Sequence, residues 1–221
     1  MTALLVIGVI LLFMAIDAVR LYLKREVPSK EKIADIKPFR VPETPMGLFF
    51  NGAHMWAKLT ESGELRVGLD ELVLQAVKEI ERIELVPNGT KVKEGDRIGF
   101  IEYRQKKLYI FSPVTGTLIS QNSSALVSPS SLYEDPYFSG WLFKIWPAEV
   151  KESIRSMMLG ESARKWMERE FQRFTDFLAQ RATPALGMAL ADGAKPVMGA
   201  VHFLDERGWK DFEEEFMKPK G

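Results

Sequence analysis

The feature that most constrains this chain is an uninterrupted apolar run near its N-terminus. Residues 3–16 read ALLVIGVILLFMAI and contain no polar side chain. The apolar character resumes after Asp17 and continues to Leu23. A helix over residues 3–23 would be about 31 Å long at roughly 1.5 Å per residue, which is enough to cross the hydrocarbon core of a bilayer. The sequence therefore predicts one transmembrane helix, which serves as an anchor within residues 1–25.

The alternative for this segment is a cleaved signal peptide. Against that alternative, the run has no basic stretch before it and no small-x-small cleavage pattern before Lys24. Basic residues follow the run, so the positive-inside rule places the rest of the chain in the cytoplasm. We expect a single-pass protein of the inner (cytoplasmic) membrane. The residues expected at the membrane interface are Asp17, Arg20, Tyr22, Lys24 and Arg25.

The charge and composition of the chain argue against several classes of function. Its 30 Lys and Arg residues balance 30 Asp and Glu residues, so electrostatics gives no reason to expect a nucleic acid partner. The chain has no cysteine and only two histidines, His54 and His202, which leaves little material for a zinc site or a catalytic triad. The sequence has no nucleophile elbow and no phosphate-binding glycine loop. We therefore expect no catalytic residues, no metal ligands and no enzymatic activity.

The next two segments differ in proline content and in periodicity. Residues 26–46 carry four prolines among mixed charges, which favours an extended linker. Residues 47–148 show short apolar runs with turn signals about every eight to twelve residues, a spacing typical of a small β-sandwich or barrel. Within this domain, residues 56–59 and 65–67 flank a Glu-Ser-Gly turn and predict a hairpin. Asp70 is placed to cap a short helix.

Helical spacing replaces the strand pattern after Pro147, so residues 149–221 are expected to form a helical C-terminal extension. An aromatic stripe in this extension either packs on the β-domain or binds another subunit, and we favour the first alternative. As a candidate partner surface, the stripe consists of Trp166, Phe171, Phe174 and Phe177. A last short helix is expected from about Asp205 to Met217. Its apolar side carries Trp209, Phe212 and Phe216.

Several motifs between His54 and Pro147 resemble the H protein of the glycine cleavage system. The matching segments are His54-x-Trp56, Val67-Gly68-Leu69, Val92-x-x-Gly95-Asp96, Ser112-Pro113-Val114-Thr115-Gly116 and Asp135-Pro136-Tyr137-Phe138-Ser139-Gly140-Trp141-Leu142. The resemblance implies a mainly β fold, the barrel-sandwich hybrid, in which two small antiparallel sheets enclose one core. It also implies that the anchor, the linker and the region after about Pro147 are additions to the family's pattern.

The resemblance makes one hairpin tip the decisive position. In the family, the lipoyl lysine lies three residues after the glutamate that heads the hairpin. Counting from Glu102 gives Gln105, which is an amide and not an amine. Lys106 and Lys107 follow at once, so either could carry a lipoyl group if the tip is shifted. The other interpretation is that Arg104, Lys106 and Lys107 form an exposed basic tip.

Two functions follow from these observations. The first is a structural or docking subunit of a membrane complex, such as a respiratory or redox one, that has lost the lipoyl lysine and binds no cofactor. Its expected partners are the membrane and other protein subunits. The second is a lipoylated carrier, modified at Lys106 or Lys107, that shuttles an acyl, aminomethyl or sulfur group.

Overall fold

A computed structural model describes residues 39–181, 190–191 and 195–219 of the chain. The expected anchor, its five interface residues and most of the expected linker lie outside the described residues. Among the helices that are described, none combines the length and the apolar character needed to cross a membrane.

Short strands dominate the first two thirds of the described chain, and helices dominate the rest. The strands are β1 (Phe49–Phe50), β2 (Met55–Leu59), β3 (Leu65–Leu69), β4 (Arg82–Leu85), β5 (Lys91–Val92), β6 (Arg97–Tyr103), β7 (Lys106–Phe111), β8 (Gly116–Gln121), β9 (Phe143–Pro147), β10 (Met158–Leu159), β11 (Leu190–Ala191) and β12 (Lys195–Pro196). The helices are α1 (Glu71–Val77), α2 (Ser123–Val127), α3 (Ser131–Glu134), α4 (Val150–Arg155), α5 (Glu161–Gln180) and α6 (Glu206–Phe212), with a 3₁₀ turn at Ala200–Phe203 and a π-helical turn at Glu213–Met217.

The strands form two main antiparallel sheets. One has seven strands in the order β10-β1-β2-β3-β9-β8-β5, and the other has three in the order β4-β6-β7. A third sheet is the two-stranded ribbon β11-β12. The mainly β fold with a helical C-terminal region is confirmed. The hairpin expected around the Glu-Ser-Gly turn is also confirmed, because β2 pairs with β3 from Met55↔Leu69 to Leu59↔Leu65.

The short helix α1 begins where the sequence predicts. The Asp70 side chain accepts a hydrogen bond from the Val73 N–H at 3.2 Å, which satisfies one of the otherwise unpaired amides of the first turn. The helix ends at Val77, and Lys78 adopts a positive φ of 57°. Ile80 lies beyond the end of the helix and is buried.

Two glycines let strands approach closely. A Cβ on Gly99 would lie 2.1 Å from the Glu84 carbonyl oxygen, and one on Gly116 would lie 2.3 Å from the Trp146 carbonyl oxygen. Both distances are far below van der Waals contact, and both neighbours are backbone atoms that cannot rotate away. The pairing of β4 with β6 and of β8 with β9 therefore requires residues without a side chain at positions 99 and 116.

Aromatic rings pack the C-terminal segments onto the β-domain. Phe174 of α5 contacts Phe212 and Phe216 at ring-centroid distances of 5.8 and 5.7 Å, and it contacts Phe39 at 5.3 Å. Within the predicted stripe, Trp166, Phe174 and Phe177 are buried and Phe171 lies 5.7 Å from Phe39. The stripe thus packs inside the described part of the chain. Trp166 lies against Phe50 of the β-domain at a ring-centroid distance of 6.4 Å, and Phe174 and Phe177 lie against Phe212 of α6.

The last part of the expected linker also lies against the domain. Phe39 is buried, and its N–H donates to the Pro196 carbonyl at 2.9 Å. The Arg40 N–H donates to the Gln75 side chain at 2.8 Å, and the Tyr137 hydroxyl donates to the Glu43 carbonyl at 2.7 Å. The segment from Phe39 onward therefore contacts the folded domain.

A buried group of charges joins the first hairpin to α5. His54 is fully buried, its Nδ1 lies 2.7 Å from Asp70 Oδ2, and its Nε2 lies 3.4 Å from Glu170 Oε2 without hydrogen-bond alignment. Burial alone would lower the pKa of His54, but Asp70 and then Glu170 outweigh it and raise the pKa to about 9. Burial opposes ionisation of Glu170 as well, yet His54 and Arg173 lower its pKa to about 2. The cluster therefore holds a histidinium between two carboxylates.

Candidate functional site

The hairpin of β6 and β7 closes with a two-residue turn. Tyr103 pairs with Lys106, so Arg104 and Gln105 are the only residues in the loop. Both have positive φ angles, 45° and 67°, which is the backbone of the type I′ turn that suits tight hairpins. Both side chains are exposed. Gln105 thus stands at the tip itself, whereas Lys106 and Lys107 belong to the strand.

Contacts on the β4 side hold the turn in place. The Arg104 N–H donates to the Glu81 carboxylate at 3.1 Å, and its guanidinium lies 5.1 Å from the centre of the Tyr103 ring. Tyr103 is buried, and its ring centroid lies 3.6 Å from that of His202. Burial lowers the pKa of His202 to about 4, so this imidazole is neutral at physiological pH. The Tyr103–His202 contact at the base of the tip is therefore packed and uncharged.

Lys106 is held by the C-terminal segment. Its Nζ donates to the Leu204 carbonyl at 3.0 Å and lies 5.3 Å from the centre of the Trp209 ring. A charge-assisted hydrogen bond and a cation–π contact together fix the amine against its own chain. The Lys106 amine is thus bound within the chain and is not part of an exposed basic tip.

Lys107 differs from Lys106 in that its side chain is exposed. Its Nζ lies 4.1 Å from the centre of the Phe100 ring. Its carbonyl accepts a hydrogen bond from Trp209 Nε1 at 3.0 Å, and the Tyr109 N–H donates to the Glu213 carboxylate at 3.3 Å. Because β7 is an edge strand, these two bonds occupy backbone groups that would otherwise be open to another strand.

The tip offers an amide and cations. Glutamine supplies a carbonyl acceptor and two N–H donors, none of which is a nucleophile at neutral pH. In the described part of the chain, no group of three or more His, Cys, Asp or Glu side chains is arranged to hold a metal ion. The sequence identified Gln105 and the lysines, but it did not reveal that Leu204, Trp209 and Glu213 pack against them. Those residues come from about 100 positions further along the chain.

The comparisons with known proteins agree on one family. The sequence model of the family described as "Glycine cleavage H-protein" matches residues 48–170. A glycine cleavage system H protein of Ralstonia nicotianae is 35% identical over 109 residues, which cover 49% of this chain and 85% of that protein. A probable glycine cleavage system H protein of Thermococcus gammatolerans is 29% identical over 134 residues, which cover 61% of this chain and 97% of that protein.

A solved structure was also found. It is a glycine cleavage system H protein from Mycobacterium marinum, with a TM-score of 0.48 and 22% sequence identity. The match covers 57% of this chain and 98% of that chain.

The extent of the family match corrects one expectation. The region after Pro147 was expected to be an addition, but the match continues to residue 170 and includes α4, β10 and the first half of α5. The match covers more than half of the 221 residues, and it includes both sheets and the hairpin tip. The chain belongs to the glycine cleavage H-protein family.

Proposed function

We propose that this protein is a membrane-tethered, non-enzymatic docking subunit of a membrane complex, and that its H-protein domain carries no lipoyl group. The observation that carries the proposal is Gln105 at the exposed tip of the β6–β7 hairpin. The family is one of lipoyl carriers, and its carrier lysine corresponds to this position.

The chemistry of the side chain supports the loss of the lipoyl arm. Lipoate is attached by acylating a primary amine. In a carboxamide the nitrogen lone pair is delocalised into the carbonyl, so it cannot attack an activated acyl group. The residue at the carrier position therefore does not fit the group, and no transfer step is assigned to it.

The packing of the tip supports a docking role. The backbone of this hairpin is fixed on both sides, by Glu81 next to β4 and by Trp209 and Glu213 along β7. The two loop side chains, Arg104 and Gln105, project from this fixed base. A pre-organised loop loses little conformational entropy on binding, which favours recognition of a protein partner.

The membrane part of the proposal rests on the sequence. The apolar run at residues 3–23 is long enough to span a bilayer, and the basic residues after it favour a cytoplasmic domain. The partners proposed are thus the inner membrane and the subunits of a complex within it.

A lipoylated carrier is the second candidate, and one observation favours it. Lys107 has an exposed primary amine two residues beyond the tip position. Lys106 is a poorer acceptor, because its amine would have to leave both the Leu204 carbonyl and the Trp209 ring. The two candidates differ in the covalent mass of the purified protein.

Copurification tests the docking role. We expect the tagged full-length chain, expressed at its native level and extracted in mild detergent, to bring down at least one other subunit in stoichiometric amount. Reversing charge at the tip with Arg104→Glu and Gln105→Glu should reduce this recovery. The matched control is Lys151→Glu on α4, an exposed residue away from the tip, which should leave recovery unchanged. A monomer that yields no stoichiometric partner would contradict the proposal.

A further inference from the structure

The outer face of the seven-stranded sheet, opposite the buried core side, carries a row of cations. Lys58 pairs with Arg66 across β2 and β3, and Arg66 pairs with Lys144 across β3 and β9. Directly opposed residues of an antiparallel sheet point to the same side. Their strand neighbours are buried on the inner side, namely Ala57, Val67, Leu65, Phe143 and Ile145. The three cations therefore line the outer face.

A second row lies beside the first. Lys91 pairs with Thr117 across β5 and β8, and Thr117 pairs with Trp146 across β8 and β9. Val92 and Leu118, next to them in sequence, are buried. Trp146 lies two residues from Lys144 on the same strand, so both rows share the outer face.

Aromatic rings are interleaved with these cations. Trp146 is 51% exposed, and Phe138, from the loop after α3, is 69% exposed. The Lys58 Nζ lies 5.1 Å from the centre of the Phe138 ring, and the Arg66 guanidinium lies 5.6 Å from the centre of the Trp141 ring. Trp146 on the sheet and Phe138 on the neighbouring loop thus place exposed aromatic surface beside the cations.

Most of the positive charge on this face is not neutralised. Lys144 forms an ion pair with Glu64 at 2.9 Å. Among the ion pairs of the described residues, none involves Lys58, Arg66 or Lys91. The same loop that supplies Phe138 covers the other end of the face, where Tyr137 packs on Trp56 at 6.1 Å. From Lys58 onward the face is cationic, with Lys58, Arg66 and Lys144 half-buried and Lys91 exposed.

We infer that this cationic–aromatic face docks on the headgroups of an anionic lipid bilayer. Lysine and arginine attract anionic headgroups, while tryptophan and phenylalanine insert at the boundary between headgroups and acyl chains. The inference rests on the proposed function for its tether. The predicted span ends near residue 25, and the 13 residues from 26 to 38 reach at most about 45 Å when fully extended. A domain held within that distance meets the bilayer surface at high effective concentration.

The test uses the absence of cysteine, because any introduced cysteine is a unique labelling site. Ser120 pairs with Lys144 on the outer face, and Glu84 is exposed on the three-stranded sheet. Full-length Ser120→Cys and Glu84→Cys proteins, each carrying a fluorophore, are placed in nanodiscs of phosphatidylcholine with or without phosphatidylglycerol. Lipids that carry a quencher on the headgroup report contact with the surface.

We expect strong quenching at position 120, and little at position 84, only when phosphatidylglycerol is present. Added salt should reduce the quenching at position 120. Each of Lys58→Gln, Arg66→Gln and Lys91→Gln should weaken the affinity of the domain for the bilayer about fivefold. Equal quenching at both positions, or no effect of the anionic lipid, overturns the inference. Protection of position 120 that requires a copurified acidic protein also overturns it.

Failure of the tether gives a separate outcome. If the chain does not enter nanodiscs, the predicted anchor fails, and the labelled proteins are mixed with phosphatidylglycerol vesicles instead. Quenching at position 120 then still supports the face as a lipid-binding surface. Equal signals at the two positions overturn it.

Discussion

Replacing Phe174 with alanine is expected to lower the free energy of unfolding by about 3–5 kcal/mol, the cost of removing a large ring from a packed interior. Phe174 is fully buried, and its ring contacts those of Phe39, Phe212 and Phe216. These neighbours come from two separate parts of the chain, the segment at Phe39 and the last helical stretch, so the cavity cannot close by a local shift. Urea unfolding followed by circular dichroism measures the change.

The matched control for this experiment is Phe138→Ala. It removes the same atoms from a ring that is 69% exposed, so the expected change is within about 0.5 kcal/mol. Similar losses for the two variants would mean that the C-terminal aromatic cluster does not form as described. The C-terminal segment would then not hold the edge of β7.

The second large effect is expected from His54→Asn, at about 3–5 kcal/mol near neutral pH. The substitution leaves the Asp70 carboxylate buried without its cation, and asparagine tolerates the positive φ of 57° at this position. The pKa of His54 is raised to about 9 in the folded protein, so the histidinium stabilises the fold fully below its ordinary pKa of 6.5. This contribution is lost as the pH rises through about 9.

The pH dependence of the variant therefore has a defined sign. The difference in stability between the native chain and His54→Asn should be largest near pH 6 and should shrink by about 3 kcal/mol towards pH 9. Denaturant unfolding at a series of pH values measures it. A difference that stays constant from pH 6 to pH 9 would show that His54 is not charged in the folded protein.

His202 provides the control, since its pKa is shifted in the opposite direction. Burial lowers it to about 4, so the unfolded chain binds more protons than the folded one between pH 4 and 6.5. The free energy of unfolding of the native chain should fall as the pH falls through this window, and His202→Asn should make that fall smaller. Above pH 6.5, the pH dependence of His202→Asn should be the same as that of the native chain.

Local rules predicted the features whose causes lie within a few residues. The Asp70 side chain caps α1 by accepting from the N–H of Val73, three residues later, and a Glu-Ser-Gly turn joins β2 to β3. The last helix begins after Asp205, whose side chain accepts from the Gly208 N–H at 2.7 Å. In each case the cap or turn is chosen by a short stretch of sequence.

The tertiary environment of the site could not be predicted in this way. Lys106 and Lys107 read as an exposed basic tip, but Lys106 is bound by Leu204, 98 positions away, and the Lys107 carbonyl by Trp209, 102 positions away. His54 meets Glu170 from α5 in the same manner. No periodicity within a segment reveals which distant segment will cover it. The sequence therefore favoured packing of the aromatic stripe on the β-domain, but it did not identify Phe39, Phe212 and Phe216 as neighbours of Phe174.

We propose that the carrier position holds an amide that cannot be lipoylated. The intact mass of the full-length chain, purified from lipoate-sufficient cells beside its Gln105→Lys variant, tests this directly. We expect an unmodified native protein and a variant that gains one lipoyl group, because the hairpin then presents an amine at its tip. A native protein that bears a lipoyl group on Lys107 or Lys106 would contradict it.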